Sequence, residues 1–113
     1  MSGSTEPDPA EAQLREQVKV LGEKFLIRTA GQVVTLREQV LRLRDGNPDA
    51  LAAIEELAHK IHGSGAMFGF AALSECAGEI ECLIVAGKSV AADQLSGLVE
   101  QLAVALEETR RKS

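Results

Sequence analysis

Two histidines stand three residues apart in "HKIHGSGAMFGF", His59 to Phe70, and they are the only imidazoles of the chain. Two glycines, a serine and an alanine follow them at once. An imidazole can bind a metal, move a proton or act as a nucleophile, and its neighbours decide which. As metal ligands, His59 and His62 could share a helix face, but no carboxylate or cysteine nearby in the sequence completes a set, so no metal site is expected. Triad-type hydrolysis needs a pocket, which a small bundle of this composition does not offer. A nucleophile presented to a partner needs only an exposed ring and a clear approach to it. A solvent-exposed imidazole, with a pKa of about 6.5 in model peptides, is mostly neutral near pH 7.5 and is nucleophilic without a base.

Helical geometry says which histidine is presented. With about 100° per residue and Ile54 at zero, Ile61 and Gly65 fall within about 20° of it, and Leu57, Ala58 and Phe68 within about 60°. His59 then lies at about 140°, away from the apolar stripe, and His62 at about 80°, on the flank. Gly63 and Ala66, at about 180° and 120°, follow His59 on the wet side. A glycine inside a helix destabilises it by roughly 0.5–1 kcal/mol relative to alanine. Gly65 sits on the inward stripe, where a neighbouring helix can approach closely. Gly63 has no such role, and its missing side chain opens the way for another protein's surface to reach His59.

The elements that must hold this segment are helical throughout. The chain has 113 residues, 45% of them apolar, with three Phe and no Trp or Tyr. A core of Leu, Val, Ile and Ala suits helices better than strands. Residues 1 to about 10 read as a polar tail, and 11–113 as one domain. Leu14, Val18, Leu21 and Phe25, then Val33, Leu36, Val40 and Leu43, recur at helical steps. Gly22 and Gly31 leave open one long helix or two. In "RDGNPDA", Gly46 ends a helix, Asn47 caps the next, Pro48 takes its first position and Asp49 its first turn. That helix runs to about Phe68, and Gly69 ends it. A third pattern runs through Leu73, Cys76, Ala77, Ile80, Leu83 and Ile84 and stops at Gly87. A fourth, through Leu95, Leu98, Val99, Leu102 and Leu106, starts near Ser89 or Val90. The fold class expected is all-α, an antiparallel up-down four-helix bundle with room for a short extra helix at the N-terminus.

Several functions are excluded or demoted. A net charge of −5 speaks against nucleic-acid binding, which needs a basic face. "GKS" at Gly87 to Ser89 is no phosphate-binding loop, since the glycine required five residues earlier is Cys82. Cys76 and Cys82 fit neither a redox nor a zinc pattern and read as reduced thiols. With no signal peptide and no membrane-spanning run, a cytoplasmic protein without membrane contact is expected.

The segment "LAHKIHGSGAMFGFAALSECAGEIE" resembles the signature of histidine phosphotransfer (HPt) domains. Ala58, His59, Ile61, Gly63, Ser64, Phe68, Gly69, Leu73 and Glu81 fill the places of that pattern. The resemblance is close over about twenty-five residues, while the flanking helices agree in length and periodicity only. It implies a four-helix bundle that carries a phosphoryl group between receiver domains of a phosphorelay, as a carrier rather than a turnover enzyme. His59 would be the phosphoacceptor, taking the group from a receiver's aspartyl phosphate through Nε2 and returning it to another receiver. The receiver would bring Mg²⁺, so the chain needs no cofactor of its own. Partners implied are response-regulator receiver domains and a hybrid sensor histidine kinase, with the chain itself a monomer. Lys60, Gly63, Ala66 and Met67 are the candidate docking residues, with the next helix, which carries Glu75 and Glu79, beside them. One place departs from the pattern: where the family often has a lysine near the phosphoryl group, this chain has His62. The alternative is an adaptor that binds a receiver or kinase without carrying phosphate.

Overall fold

A computed structural model describes residues 8–87 and 90–112. Four helices follow one another: α1 (Pro9–Arg44), α2 (Asp49–Met67), α3 (Ala71–Val85) and α4 (Ala92–Lys112). Each packs against its neighbours in the chain, and α1 closes the ring against α4. Short connections make successive helices antiparallel, so the molecule is the up-down bundle that the periodicity predicted. Among the described residues no strand is present, and no helix is long and apolar enough to cross a membrane.

The interruptions lie where turn chemistry put them. Gly46, Gly69 and Gly87 all adopt positive φ, which an L side chain rarely tolerates and glycine takes without steric cost. The Asn47 side chain accepts from the Asp49 amide at 3.0 Å, satisfying one of the unpaired donors that open α2. At the start of α1, Asp8 does the same for Ala10, with Pro9 at the first position, where its missing N–H costs nothing. The helix therefore begins two residues before the Glu11 expected. α4 begins at Ala92, later than expected. Ser89, one of its two anticipated start points, and Lys88 of "GKS" lie outside the described residues, as do residues 1–7 of the expected tail.

The core is a stack of Phe25, Leu36, Ile54, Ile61, Leu73, Ile80, Leu95, Val99 and Leu102, all essentially inaccessible. Cys76 is half-buried against it and Cys82 is exposed. All three Phe gather at one end of the bundle. The Phe25 ring lies 5.5 Å from that of Phe68 and 5.8 Å from that of Phe70, stacked on the latter. Gly22 packs on Phe70, whose ring would stand 3.5 Å from an added Cβ.

The first helix departs from expectation in two ways. It runs unbroken through Gly22 and Gly31 for 36 residues, about 54 Å, so there is no separate N-terminal helix. Its first turns also leave the bundle. Leu14, Val18 and Leu21, which share the periodicity of Phe25, are exposed, because α2 and α3 turn at Phe68–Phe70, which reach along α1 only as far as a groove shared with Val18 and Gly22. The long axis of the molecule is accordingly 68 Å, against 23 and 20 Å across.

Candidate functional site

α2 and α3 cross closely because Gly65 allows it. A Cβ on Gly65 would lie 3.2 Å from the backbone nitrogen of Ser74 and 3.4 Å from its Cα, so the two helices come nearly backbone to backbone. This contact sets the register that brings side chains of α2 over Ser74, Gly78 and Glu81, one stripe of α3.

His59 stands on this seam. Its side chain is 73% exposed, and its Nδ1 lies 2.5 Å from Oε2 of Glu81, which is only 22% exposed. An ionised carboxylate can only accept, so Nδ1 carries the hydrogen and donates it. In a neutral ring that leaves the lone pair on Nε2. Glu81 therefore fixes both the tautomer and the orientation of an otherwise free side chain. Ala52, Glu55, Glu56, His59 and Glu81 together line a shallow depression, so carboxylates flank the ring on the side toward the start of α2. On the other side, one turn on, is Gly63, above which an added Cβ would meet nothing within 4 Å. The first side is therefore negatively charged and the second is open.

His62 has a different environment. Its Nδ1 lies 2.8 Å from the carbonyl oxygen of Ser74, which only an N–H can satisfy, so Nδ1 is again the donor. The Ser74 hydroxyl donates to the His62 carbonyl at 2.9 Å, and its oxygen lies 3.1 Å from Nδ1. The imidazole lies over Gly78, where a Cβ would stand 3.0 Å from Nδ1 and 3.1 Å from Cε1. This histidine is thus fastened to α3, and only Nε2 remains to meet a ligand. When neutral, that atom is an acceptor and cannot donate to phosphoryl oxygens as a lysine would.

The remaining candidates lie around His59 on the outer side of α2. Gly63, Ala66 and Met67 are exposed, Met67 at 73%. Lys60 is exposed and pairs with Glu56 one turn back at 3.3 Å, a contact of little energetic weight in water. Ala66, Gly69, Ala71, Ser74 and Glu75 form a second shallow depression, at the α2–α3 turn. Glu79 is also exposed on α3. Among the described residues no three His, Cys, Asp or Glu side chains group together to hold a metal ion.

Periodicity alone did not reveal what Glu81 and Ser74 do. Glu81 filled a place in the family pattern, but its contact with His59 spans 22 residues and depends on the register of two helices. The signal available in the sequence was Gly65 together with Gly78, two small residues that mark where α2 and α3 approach.

The bundle thus presents an exposed imidazole, held through Nδ1 by Glu81, beside a bare glycine. The family model of the Hpt domain matches residues 11–112, and the chain is a member of that family, the histidine phosphotransfer domains of phosphorelays, which interact with receiver domains and kinases. No curated protein and no solved structure matches the chain.

Proposed function

We propose that this protein is a phosphorelay carrier that accepts a phosphoryl group on Nε2 of His59 from a receiver-domain aspartyl phosphate and passes it to the aspartate of another receiver. The neutral ring attacks phosphorus in line. The N–P bond forms as the acyl phosphate O–P bond breaks, and the aspartate leaves as carboxylate. Nδ1 keeps its hydrogen, and the ring becomes a cation whose charge faces the Glu81 carboxylate. Return to a second aspartate runs the same steps backward. The receiver supplies Mg²⁺ and the acidic pocket, so the bundle contributes position and a nucleophile, not turnover catalysis. Receivers and a hybrid sensor kinase dock over Gly63, Ala66 and Met67, with Lys60 at the rim and α3 alongside, in the cytoplasm.

The single observation that carries the proposal is the Nδ1–Glu81 hydrogen bond on an exposed ring, which leaves Nε2 as the nucleophilic atom. The test is to mix the protein with phosphorylated receiver domains and follow acid-labile phosphate. Label is expected on the wild type and on His62→Ala, and none on His59→Ala. Label that persists in His59→Ala refutes the assignment. Binding to receivers without label in the wild type would make the protein an adaptor instead.

A further inference from the structure

Of the three carboxylates that line the depression beside His59, two are engaged. Glu81 accepts from Nδ1 of the ring, and Glu56 pairs with Lys60. Glu55 makes no ion pair and no hydrogen bond among the described residues, although it is half-buried. It stands four residues before His59, about 40° from it round the helix, and so one turn away on the same side.

The charge around this pair is one-sided. α2 and α3 carry six carboxylates, on Asp49, Glu55, Glu56, Glu75, Glu79 and Glu81, and a single cation, Lys60. Their net charge of −5 equals that of the whole chain, so all of the excess negative charge lies on the two helices that bear or hold the histidines. Neither helix has a cation free to neutralise an anion on Nε2 of His59. Lys60 lies about 100° away round α2 and is held by Glu56. His62 commits its Nδ1 hydrogen to the Ser74 carbonyl.

A phosphoryl group changes the charge at His59. The ring gains one positive charge, and the group brings two negative ones at about pH 8, so a neutral side chain becomes a net anion. Glu81 touches the ring at Nδ1 and offsets its positive charge. Glu55 has no such contact and meets the excess negative charge. Two like unit charges one helical turn apart at a wet surface disfavour the phosphorylated form about threefold.

We propose that Glu55 raises the transfer potential of phosphorylated His59 and so shifts the equilibrium of the relay toward the receiver aspartate. This rests on the carrier function proposed above. In the step it favours, the N–P bond at Nε2 breaks as an O–P bond to the aspartate carboxylate forms. The electron pair of the broken bond returns to Nε2, Nδ1 keeps its hydrogen, and the ring is neutral again beside Glu55.

The test is the ratio of phosphohistidine to aspartyl phosphate at equilibrium, after mixing the protein with a phosphorylated receiver in dilute solution at about pH 8 and fixed Mg²⁺. That ratio belongs to the separated proteins, so a change in docking alone leaves it untouched. In about 0.01 M salt, where charges are felt over about 30 Å, Glu55→Gln should raise the ratio about threefold and Glu55→Lys about tenfold. In about 1 M salt, where the range is about 3 Å, both variants should converge on the wild type. A ratio that is unchanged or lower in Glu55→Gln, or an increase that persists at high salt, overturns the inference and leaves the carrier function standing. Receivers that bind without labelling the wild type or either variant overturn the carrier function and this inference with it.

Discussion

Replacing Gly63 by alanine should make the free protein more stable and the carrier worse. Gly63 lies inside α2, is exposed, and has open space where a Cβ would be. Nothing in the bundle opposes the added methyl, so the helix gains the usual alanine-over-glycine difference of roughly 0.5–1 kcal/mol. For a domain of this size that is roughly 2–6 °C in melting temperature. The same change at Gly65 has the opposite sign. There the Cβ presses on the Ser74 backbone at 3.2 Å, and overpacking of roughly 1–3 kcal/mol outweighs the propensity gain. Phosphoryl transfer should separate the two further. Gly63→Ala narrows the approach to His59 and Gly63→Leu covers it, so transfer should fall in that order although both variants are at least as stable as the wild type. Thermal unfolding gives the stability half, and the initial rate of label transfer from a phosphorylated receiver gives the other. A Gly63→Ala variant that melts lower than the wild type would mean that Gly63 has a packing role. A Gly63→Leu variant that transfers at the wild-type rate would mean that clearance above His59 is irrelevant.

Glu81→Ala should slow phosphorylation of His59 without unfolding the bundle. A hydrogen bond to a charged group contributes about 1.5–3 kcal/mol, and solvent at this exposed ring puts the effect at the lower end, about tenfold in rate. Unchanged rates in Glu81→Ala would remove Glu81 from the account. His62 should help the phosphoryl group less than a lysine would, because its ring already uses the Nδ1 hydrogen on the Ser74 carbonyl. Phosphohistidine should therefore last longer in His62→Lys than in the wild type, and equal lifetimes would contradict this. Arg37 holds Glu100 bidentately, at 2.8 Å through both Nε and a terminal nitrogen, tying α1 to α4. That hydrogen bond lowers the Glu100 carboxyl below its ordinary 4.5, so its contribution is present above that pH and lost as pH falls through the folded value. Glu100→Gln should cost under about 1 kcal/mol at pH 7, since the pair is half-exposed, and less as the pH falls through the folded value. A cost that does not shrink in acid would assign it to packing.

Local signals were the legible ones. Gly46, Gly69 and Asn47 mark helix ends because turn geometry and capping are decided by a few adjacent residues. The helical wheel was enough to separate His59 from the core, because burial of Ile54, Ala58, Ile61 and Gly65 fixes the inward direction of α2. What could not be read depends on which elements stand side by side. Leu14, Val18 and Leu21 repeat like core residues whether or not a helix lies opposite, so the point at which α1 leaves the bundle was invisible. Whether Gly31 broke α1 was open for a related reason. The destabilisation from one glycine is small beside the burial of Phe25, Leu26, Val33 and Leu36 on both sides of it. Glu81 and Ser74 reach the histidines only through the α2–α3 register, and that register rests on Gly65.

The central claim is that Glu81 holds the Nδ1 hydrogen of His59 and leaves Nε2 to take the phosphoryl group. Nitrogen-15 NMR of the imidazoles, with phosphorus coupling, in protein phosphorylated by a receiver tests it most directly. The account predicts phosphorus on Nε2 of His59, with Nδ1 still protonated and the His62 ring unmodified. Phosphorus on Nδ1 of His59, or on either nitrogen of His62, would contradict it.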